Sequence, residues 1–283
     1  MRKVAVLGST GMAGHVISLF LEEQGYDVYR MSRSIVPSEK DARIDASDVP
    51  AVLEWLERVA PDIVVNAIGI LQKEAEARPD IAILLNAYLP HRIAERGKEH
   101  GWRVIHLSTD CVFSGATGGY AETALPDGRT MYDRSKSLGE VVNDRDLTFR
   151  MSIIGPDISK NGTGLFHWFM SQHGRINGYT QAIWNGVTTI ELAKAIDAAI
   201  QSGLTGLYHL TPPDGINKFD LLQLFRQQFE RTDVEIVPFD GYAVDKTLIN
   251  TREDFQYTIP TYPAMIREMA EWIRRHQELY SYE

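Results

Sequence analysis

Short apolar runs alternate with longer amphipathic stretches over the first two-thirds of the chain. Val4–Leu7, Asp27–Met31, Ile63–Asn66, Val104–Leu107 and Leu147–Arg150 read as strands. His15–Gln24, Val49–Val59, Ile81–His100 and Met131–Val142 read as the helices between them. That alternation is the signature of a parallel sheet with helices on both faces. After residue 150 the rhythm loosens. Gly155–Gly186, rich in Gly, Asn, Gln and aromatics, predicts irregular structure around a site. Beyond it, Ile190–Gln201 reads as a helix and Leu207–Leu210 as a strand. Phe219–Phe229 carries Phe219, Leu222, Phe225 and Phe229 on one helical face. A last helix, Pro263–Leu279, has Met265, Ile266, Met269, Trp272 and Ile273 as its apolar stripe. Such stripes mark core and not cofactor contacts. The expectation is an α/β, doubly wound parallel sheet with a smaller α/β C-terminal lobe and a cleft between them. The sheet domain is assigned to residues 1–150, with a strand and helix returning to it near 187–210, and the substrate-binding lobe mainly to 151–283.

The length, 283 residues, is enough to bury a sizeable core without disulfides or metal. A net charge of −9 argues against non-specific binding to nucleic acid or an anionic membrane. The single cysteine, Cys111, excludes an internal disulfide framework and any multi-cysteine metal site. His106, His167, His173 and His209 lack ligand spacing and read as packing or surface residues, so no metal is expected. No apolar run approaches the roughly 20 residues of a membrane helix. The basic start Met1-Arg2-Lys3 is followed only by Val4–Leu7, short of the roughly 7–15 apolar residues of a signal peptide. The expected location is the cytoplasm, where the sequon Asn161-Gly162-Thr163 has no meaning.

The strongest chemical signal is Gly8-Ser9-Thr10-Gly11-Met12-Ala13-Gly14, between the first strand and the first helix. Glycines there permit a tight turn, close approach of backbone to a pyrophosphate, and close helix–sheet packing. The helix N-terminus adds unpaired N–H groups and a positive dipole. This is the phosphate-binding loop of a Rossmann-like dinucleotide site, with Gly8, Thr10, Gly11, Met12 and Gly14 as its cofactor-facing residues. NAD binders place an acid at the end of the second strand. Here the run is Tyr29-Arg30-Met31-Ser32-Arg33-Ser34, in which Arg33 and Ser32 suit a 2′-phosphate. NADP is therefore favoured, with NAD use left open. Asp45 either faces the adenine edge or caps the helix before Val49.

Tyr132-Asp133-Arg134-Ser135-Lys136 puts Tyr132 and Lys136 one turn apart on one helical face. A phenol with a pKa of about 10 is a poor acid at neutral pH, and a nearby ammonium lowers it. Ser108-Thr109-Asp110, at a strand end, offers a hydroxyl for the same substrate oxygen.

The glycine loop, Ser-Thr-Asp and Tyr-x-x-x-Lys, in this order, resemble the extended short-chain dehydrogenase/reductases. Ser108-Thr109-Asp110-Cys111-Val112-Phe113-Ser114-Gly115 resembles the dTDP-4-dehydrorhamnose reductase group, whose members usually read S-T-D-Y-V-F-x-G. Val65-Asn66-Ala67, Asn86, Arg150-Met151-Ser152 and Gly206–Leu210 extend the resemblance over nearly the whole chain. It implies Thr109, Tyr132 and Lys136 as the catalytic set, and Asn66, Ala67, Ile68, Asn86, Ser108 and Lys136 along the cofactor. It also places Asp110, Cys111, Ile153, Trp184 and Lys246 at the sugar nucleotide. Two positions depart from the group: Cys111 replaces a tyrosine and Ile153 a tryptophan, which argues for a different sugar.

The resemblance implies an NADPH-dependent reductase of a nucleotide-activated 4-keto-6-deoxy sugar, monomeric or homodimeric, feeding cell-surface polysaccharide or O-antigen synthesis. A 4,6-dehydratase would need an acid where Cys111 stands. An epimerase on the same scaffold stays open. So does a non-catalytic NAD(P)-binding regulatory subunit, because the regulatory subunit of methionine adenosyltransferase shares the fold.

Overall fold

The computed structural model of the chain describes residues 1–160 and 162–282, so Asn161 of the sequon lies outside the described residues. From the N-terminus run β1 (Lys3–Leu7), α1 (Met12–Glu23), β2 (Asp27–Ser32), β3 (Asp41–Arg43), α2 (Val49–Val59) and β4 (Ile63–Asn66). Two short helices, α3 (Gln72–Ala77) and α4 (Pro79–Ala82), lead through a π-helical segment, Ile83–Tyr88, into α5 (Leu89–His100) and β5 (Arg103–Leu107). Next come α6 (Met131–Leu138), β6 (Leu147–Arg150), β7 (Ile153–Ile154), α7 (Leu165–Met170) and β8 (Gly174–Trp184). The chain continues through β9 (Val187–Thr188), α8 (Thr189–Ser202), β10 (Gly206–His209) and β11 (Ile216–Asn217). It ends with α9 (Lys218–Gln228), β12 (Val234–Asp245) and α10 (Tyr262–Arg275). Among the described residues no helix is long and apolar enough to cross a membrane.

Seven parallel strands form the central sheet in the order β10-β6-β5-β4-β1-β2-β3. Each apolar strand feeds two cores, because successive side chains leave opposite faces. Val4, Val6, Ile63 and Val65 join α1 and α8 on one side. Ala5, Leu7 and Val64 join α2 and α5 on the other. The fold is the doubly wound α/β sheet that the alternation predicts. Strand order reverses between β1 and β4, which opens a crevice at their carboxyl ends.

The segment Gly155–Gly186 is not irregular. It contains α7 and the eleven-residue strand β8, which pairs in parallel with β12 and antiparallel with β11. Ile176, Gly178, Ala182 and Trp184 of β8 are buried, while intervening positions are exposed or half-buried, so its apolar content is too low to read as a core strand. The helix expected over Ile81–His100 changes to π-helical geometry at Ile83–Tyr88. The helix expected to run to Val142 stops at Leu138. A Cβ at the next residue, Gly139, would stand 1.8 Å from the Asn86 carbonyl oxygen, so glycine permits the close approach of α6 to the π segment. Phe166, Phe225, Met269 and Trp272 belong to the same core as Val4 and Val6, so the C-terminal lobe is packed continuously onto the sheet.

Candidate functional site

The glycine loop sits in the crevice where strand order reverses. Gly8 has φ +78°, and a Cβ there would lie 3.0 Å from the Ala67 carbonyl oxygen beyond β4. Gly14 lies in the first turn of α1, where a Cβ would stand 2.1 Å from the Gly8 carbonyl oxygen. Gly11, in extended geometry, precedes α1 without a side-chain cap. The N–H groups of the first turn are therefore free to meet an anion.

Beside this loop is a cavity of about 620 Å³ lined by Gly8, Thr10, Gly11, Ser32, Arg33, Asp45, Ala67 and Ile68, among others. The Ser32 hydroxyl accepts from the N–H of Ile35 (3.0 Å) and shapes the turn after β2. Arg33 is exposed at that turn and electrostatically coupled to Asp45. Asp45 does not cap α2. Its carboxylate accepts from Ser47 N and Oγ, at 2.9 and 2.8 Å, while Asp48 is the N-cap, accepting from Ala51 N at 3.1 Å.

A second cavity, about 260 Å³, shares the wall Ala67–Ile68–Gly69 with the first. Met12, Ser108, Thr109, Asp110, Cys111, Tyr132, Lys136 and Ile153 line it. Helix α6 presents Tyr132 and Lys136 together because a capping box fixes its start. Thr130 Oγ1 accepts from Asp133 N, and the Asp133 carboxylate accepts from Thr130 N, both at 3.1 Å. Thr109 Oγ1 accepts from Cys111 N (3.1 Å) and donates to the Asp110 carboxylate (3.1 Å).

The electrostatics differ from the expectation in one respect. Burial pushes the Tyr132 phenol up from its ordinary value, Cys111 adds to the rise, and a hydrogen bond with Thr109 opposes it. Lys136 does not face the phenol with a hydrogen bond; it donates to the Leu107 carbonyl at 2.6 Å. Burial brings the Lys136 ammonium down to about 8, with Glu140 pulling the other way. Burial likewise raises the Asp110 carboxyl, opposed first by Lys246, and takes the Cys111 thiol up to about 12. Cys111 is thus a protonated wall residue.

Three residues expected along the ligands, Asn66, Asn86 and Trp184, lie behind the walls, and a fourth, Lys246, is half-buried outside the lining of either cavity. Asn66 and Asn86 are fully buried. Asn86 brackets Ile70, accepting from its N–H (2.9 Å) and donating to its carbonyl (3.1 Å), and also donates to Ser135 (3.1 Å). Trp184 is buried and donates through Nε1 to Ser152 Oγ (2.8 Å), itself a lining residue of the second cavity. Lys246 packs its stem beside Gly115 and acts on Asp110 through charge.

Three groups around the site escaped the sequence reading. His15 donates from Nδ1 to the Gly11 carbonyl and accepts at Nε2 from the Tyr280 hydroxyl, both at 2.9 Å, tying the glycine loop to the chain's C-terminal segment. Glu140 bonds Ser108 Oγ (2.7 Å) and the buried Arg150 (2.6 and 2.8 Å), beneath the Ser-Thr-Asp strand end. The Lys218 ammonium, brought down to about 8 by burial, lies 5.0 Å from the Trp184 ring centroid and faces Asp110 and Cys111 by charge. Apart from Gly11, one turn before His15, their partners lie ten or more residues away in sequence, which is why no local pattern marks them.

Fold and site together define a doubly wound α/β protein with a glycine loop and a Tyr–Lys helix at its switch-point crevice. Residues 1–248 match the family described as the RmlD substrate binding domain, and the chain belongs to that family. A Haloferax volcanii protein named "Probable low-salt glycan biosynthesis reductase Agl14" is 32% identical over 157 residues, covering 53% of this chain and 52% of that protein. The match thus spans about half the length of the first curated relatives. Methionine adenosyltransferase 2 subunit beta of Xenopus tropicalis is 24% identical over 270 residues, covering 87% of this chain and 78% of its own. The crystal structure of dTDP-4-dehydrorhamnose reductase from Bacillus anthracis in complex with NADP superposes with a TM-score of 0.80 at 20% identity, covering 95% of this chain and 98% of that one. At that identity the superposition speaks for the fold.

Proposed function

We propose that the protein is an NADPH-dependent reductase of a nucleotide-activated 4-keto-6-deoxy sugar. The observation that carries this reading is the convergence of Thr109, Tyr132 and Lys136 on one cavity that shares a wall with the glycine-loop crevice. The cradle suits a dinucleotide, since Cβ atoms at Gly8 and Gly14 would crowd backbone there. The glycine loop would hold its pyrophosphate, Ser32 and Arg33 its 2′-phosphate, and Ala67 and Ile68 its path toward Lys136. When bound, it supplies a hydride for the sugar C4 carbonyl. Thr109 holds the carbonyl oxygen by turning its hydroxyl proton to it from the Asp110 carboxylate. Tyr132 gives that oxygen its proton, and the positive charge of Lys136 favours the phenolate left behind. Departures at Cys111 and Ile153 leave room for a sugar other than dehydrorhamnose. A product for cell-surface glycans is consistent with the name of the Haloferax relative.

The test is loss of NADPH absorbance with a panel of dTDP- and UDP-linked 4-keto-6-deoxy sugars, repeated with Tyr132→Phe. Turnover with one keto-sugar, abolished in the variant, is expected. Full turnover by Tyr132→Phe would refute the assignment. The match to the methionine adenosyltransferase subunit over 87% of this chain favours a second reading, a regulatory nucleotide-binding subunit. NADPH binding without turnover on the whole panel would select it.

A further inference from the structure

Behind Lys136 lies a buried polar chain that the proposed reaction does not use. His106 is on β5 and Asn66 ends β4, directly opposite each other in the parallel register. Both are completely buried. Lys136 descends from α6 onto the same face of the sheet, its Nζ 2.6 Å from the Leu107 carbonyl oxygen and 3.4 Å from His106 Nε2. Asn66 Nδ2 is 3.1 Å from His106 Nδ1, and Asn66 Oδ1 is 3.2 Å from the N–H of Ile68.

Donor and acceptor counting fixes every proton in this chain. The Ile68 N–H can only donate, so the oxygen of the Asn66 amide must face it. The amide nitrogen then faces Nδ1 and donates to it, so Nδ1 carries no proton. Burial, with Lys136 and His91 adding to it, drives the imidazole pKa well below its ordinary value and keeps the ring neutral. A neutral ring with a bare Nδ1 has its proton on Nε2. That N–H points at Lys136 Nζ. An ammonium, already giving one proton to Leu107, would present donor to donor there. An amine would offer its lone pair.

We propose that Asn66 and His106 are positioning residues which, by locking the Nε2–H tautomer against Lys136, lower the proton affinity of that lysine. The proposal rests on the reading of Lys136 as a working part of the site. The groups that face the lysine are few. His106 lies 3.4 Å from its Nζ, and Glu140 favours its charge, although Glu140 is also bonded to Arg150 and Ser108. Tyr132 lies one turn away on α6. His91 acts on His106. Burial alone would lower the lysine; the tautomer adds a lever that a single atom change can reverse.

Asn66→Asp is that change. A carboxylate can only accept, so the ring proton moves to Nδ1 to donate to it, which leaves Nε2 bare as an acceptor for the ammonium. His106→Gln does the same by rotating its amide oxygen toward Nζ. The first readout is the ¹⁵N shifts of the histidine ring in the wild-type protein without cofactor, which report tautomer directly. A protonated Nε2 and bare Nδ1 at His106 are expected; a protonated Nδ1 overturns the proposal. The second is the titration of Lys136 Nζ by ¹⁵N NMR. An upward shift of about one pH unit or more in either variant is expected, because hydrogen bonding to the charged form favours it. An unchanged midpoint in folded His106→Gln, which brings no new charge, overturns the proposal whatever Asn66→Asp does. In the wild-type reductase the basic limb of kcat is expected to follow the lysine midpoint and move up with it in Asn66→Asp. Neither NMR readout requires turnover, so failure of the reductase reading would show separately, as no NADPH oxidation by any panel sugar.

Discussion

Replacing Lys218 with methionine isolates the energetic consequence of burying a cation against Trp184, within charge range of Asp110. Lys218 opens α9 with its ammonium against the face of Trp184, 5.0 Å from the ring centroid. A lysine at a helix N-terminus also meets the positive end of the helix dipole. Burial takes its pKa from the ordinary 10.5 to about 8, with Asp110 and then Cys111 opposing the fall. That drop corresponds to a cost of about 3 kcal/mol for holding the charge in the folded state. Below pH 8 the side chain is charged whether the chain is folded or not, and the fold bears the whole cost. Between about 8 and 10.5 the folded form has released the proton while the unfolded form retains it. The unfolded state then binds more protons, so stability rises with pH. Above 10.5 both forms are neutral and the cost has gone.

Methionine keeps an apolar stem and a polarisable sulfur against the indole and removes the titration. Lys218→Met is therefore expected to be the more stable protein at pH 7, by up to about 3 kcal/mol. The gap narrows to about half near pH 9 and closes by about pH 10.5. Urea unfolding at a fixed m-value, repeated at pH 7, 8, 9 and 10, measures it. Titrating groups that do not face Lys218 are shared by both proteins and cancel in the difference, whereas Asp110, which the Lys218 charge helps to keep ionised, adds to it. A gap that does not change with pH would refute the reasoning, because packing differences carry no pH dependence whereas a buried proton must. The natural chain keeps this destabilising lysine beside Asp110, where a site residue and not a structural one would stand. Lys218→Met is accordingly expected to raise the KM for a diphosphate-linked sugar.

Three further outcomes are expected. Glu140→Leu strands the Arg150 guanidinium, which is 2% exposed, and should lower unfolding free energy by about 3–5 kcal/mol; adding Arg150→Met should recover part of it in the same urea assay. Gly14→Val would drive side-chain carbons into the Gly8 carbonyl, 2.1 Å from an ideal Cβ, and is expected to abolish NADPH binding by calorimetry while circular dichroism still reports a folded chain. Cys111, its thiol pushed to about 12 by burial and Asp110, should be alkylated by iodoacetamide at pH 8 on the order of a thousand-fold more slowly in the native protein than in urea, followed by mass spectrometry.

The fold was legible wherever a strand is buried on both faces. Val4–Leu7 and Ile63–Val65 are apolar without interruption, and a run of that kind has few other places to go. The lobe strands were not legible, for the same physical reason inverted. In β8, Asn177, Tyr179 and Gln181 alternate with buried Ile176, Gly178, Ala182 and Trp184, and two of those buried residues are too small to signal a core. Its partner β12 lies some sixty residues away, with Val234 opposite Gly174 and a register shift after Phe239. Short-range pattern cannot encode a pairing at that distance, nor can it place β3, whose three residues include two charges.

For the site, legibility depended on whether the chemistry is local in sequence. Tyr132 and Lys136 share a face because a helix repeats every 3.6 residues, and Gly8, Gly11 and Gly14 shape one turn. Those relationships are properties of a heptapeptide. The protein partners of Lys136 are instead His106 and Leu107, roughly thirty positions upstream, and those of His106 include Asn66, another forty upstream. A lone histidine inside an apolar strand reads from sequence as packing, and by burial it is packing. Its role emerges only once three strand and helix ends are brought to one point and their protons counted. The same counting explains why Asn66 and Asn86 lie behind the cavity and not in it. Each has both amide ends engaged by neighbouring protein groups, so each holds the wall, Ala67–Ile70, against which a ligand would lie. A buried asparagine with both ends satisfied would gain nothing by turning outward, because it would leave backbone donors and acceptors unpaired behind it.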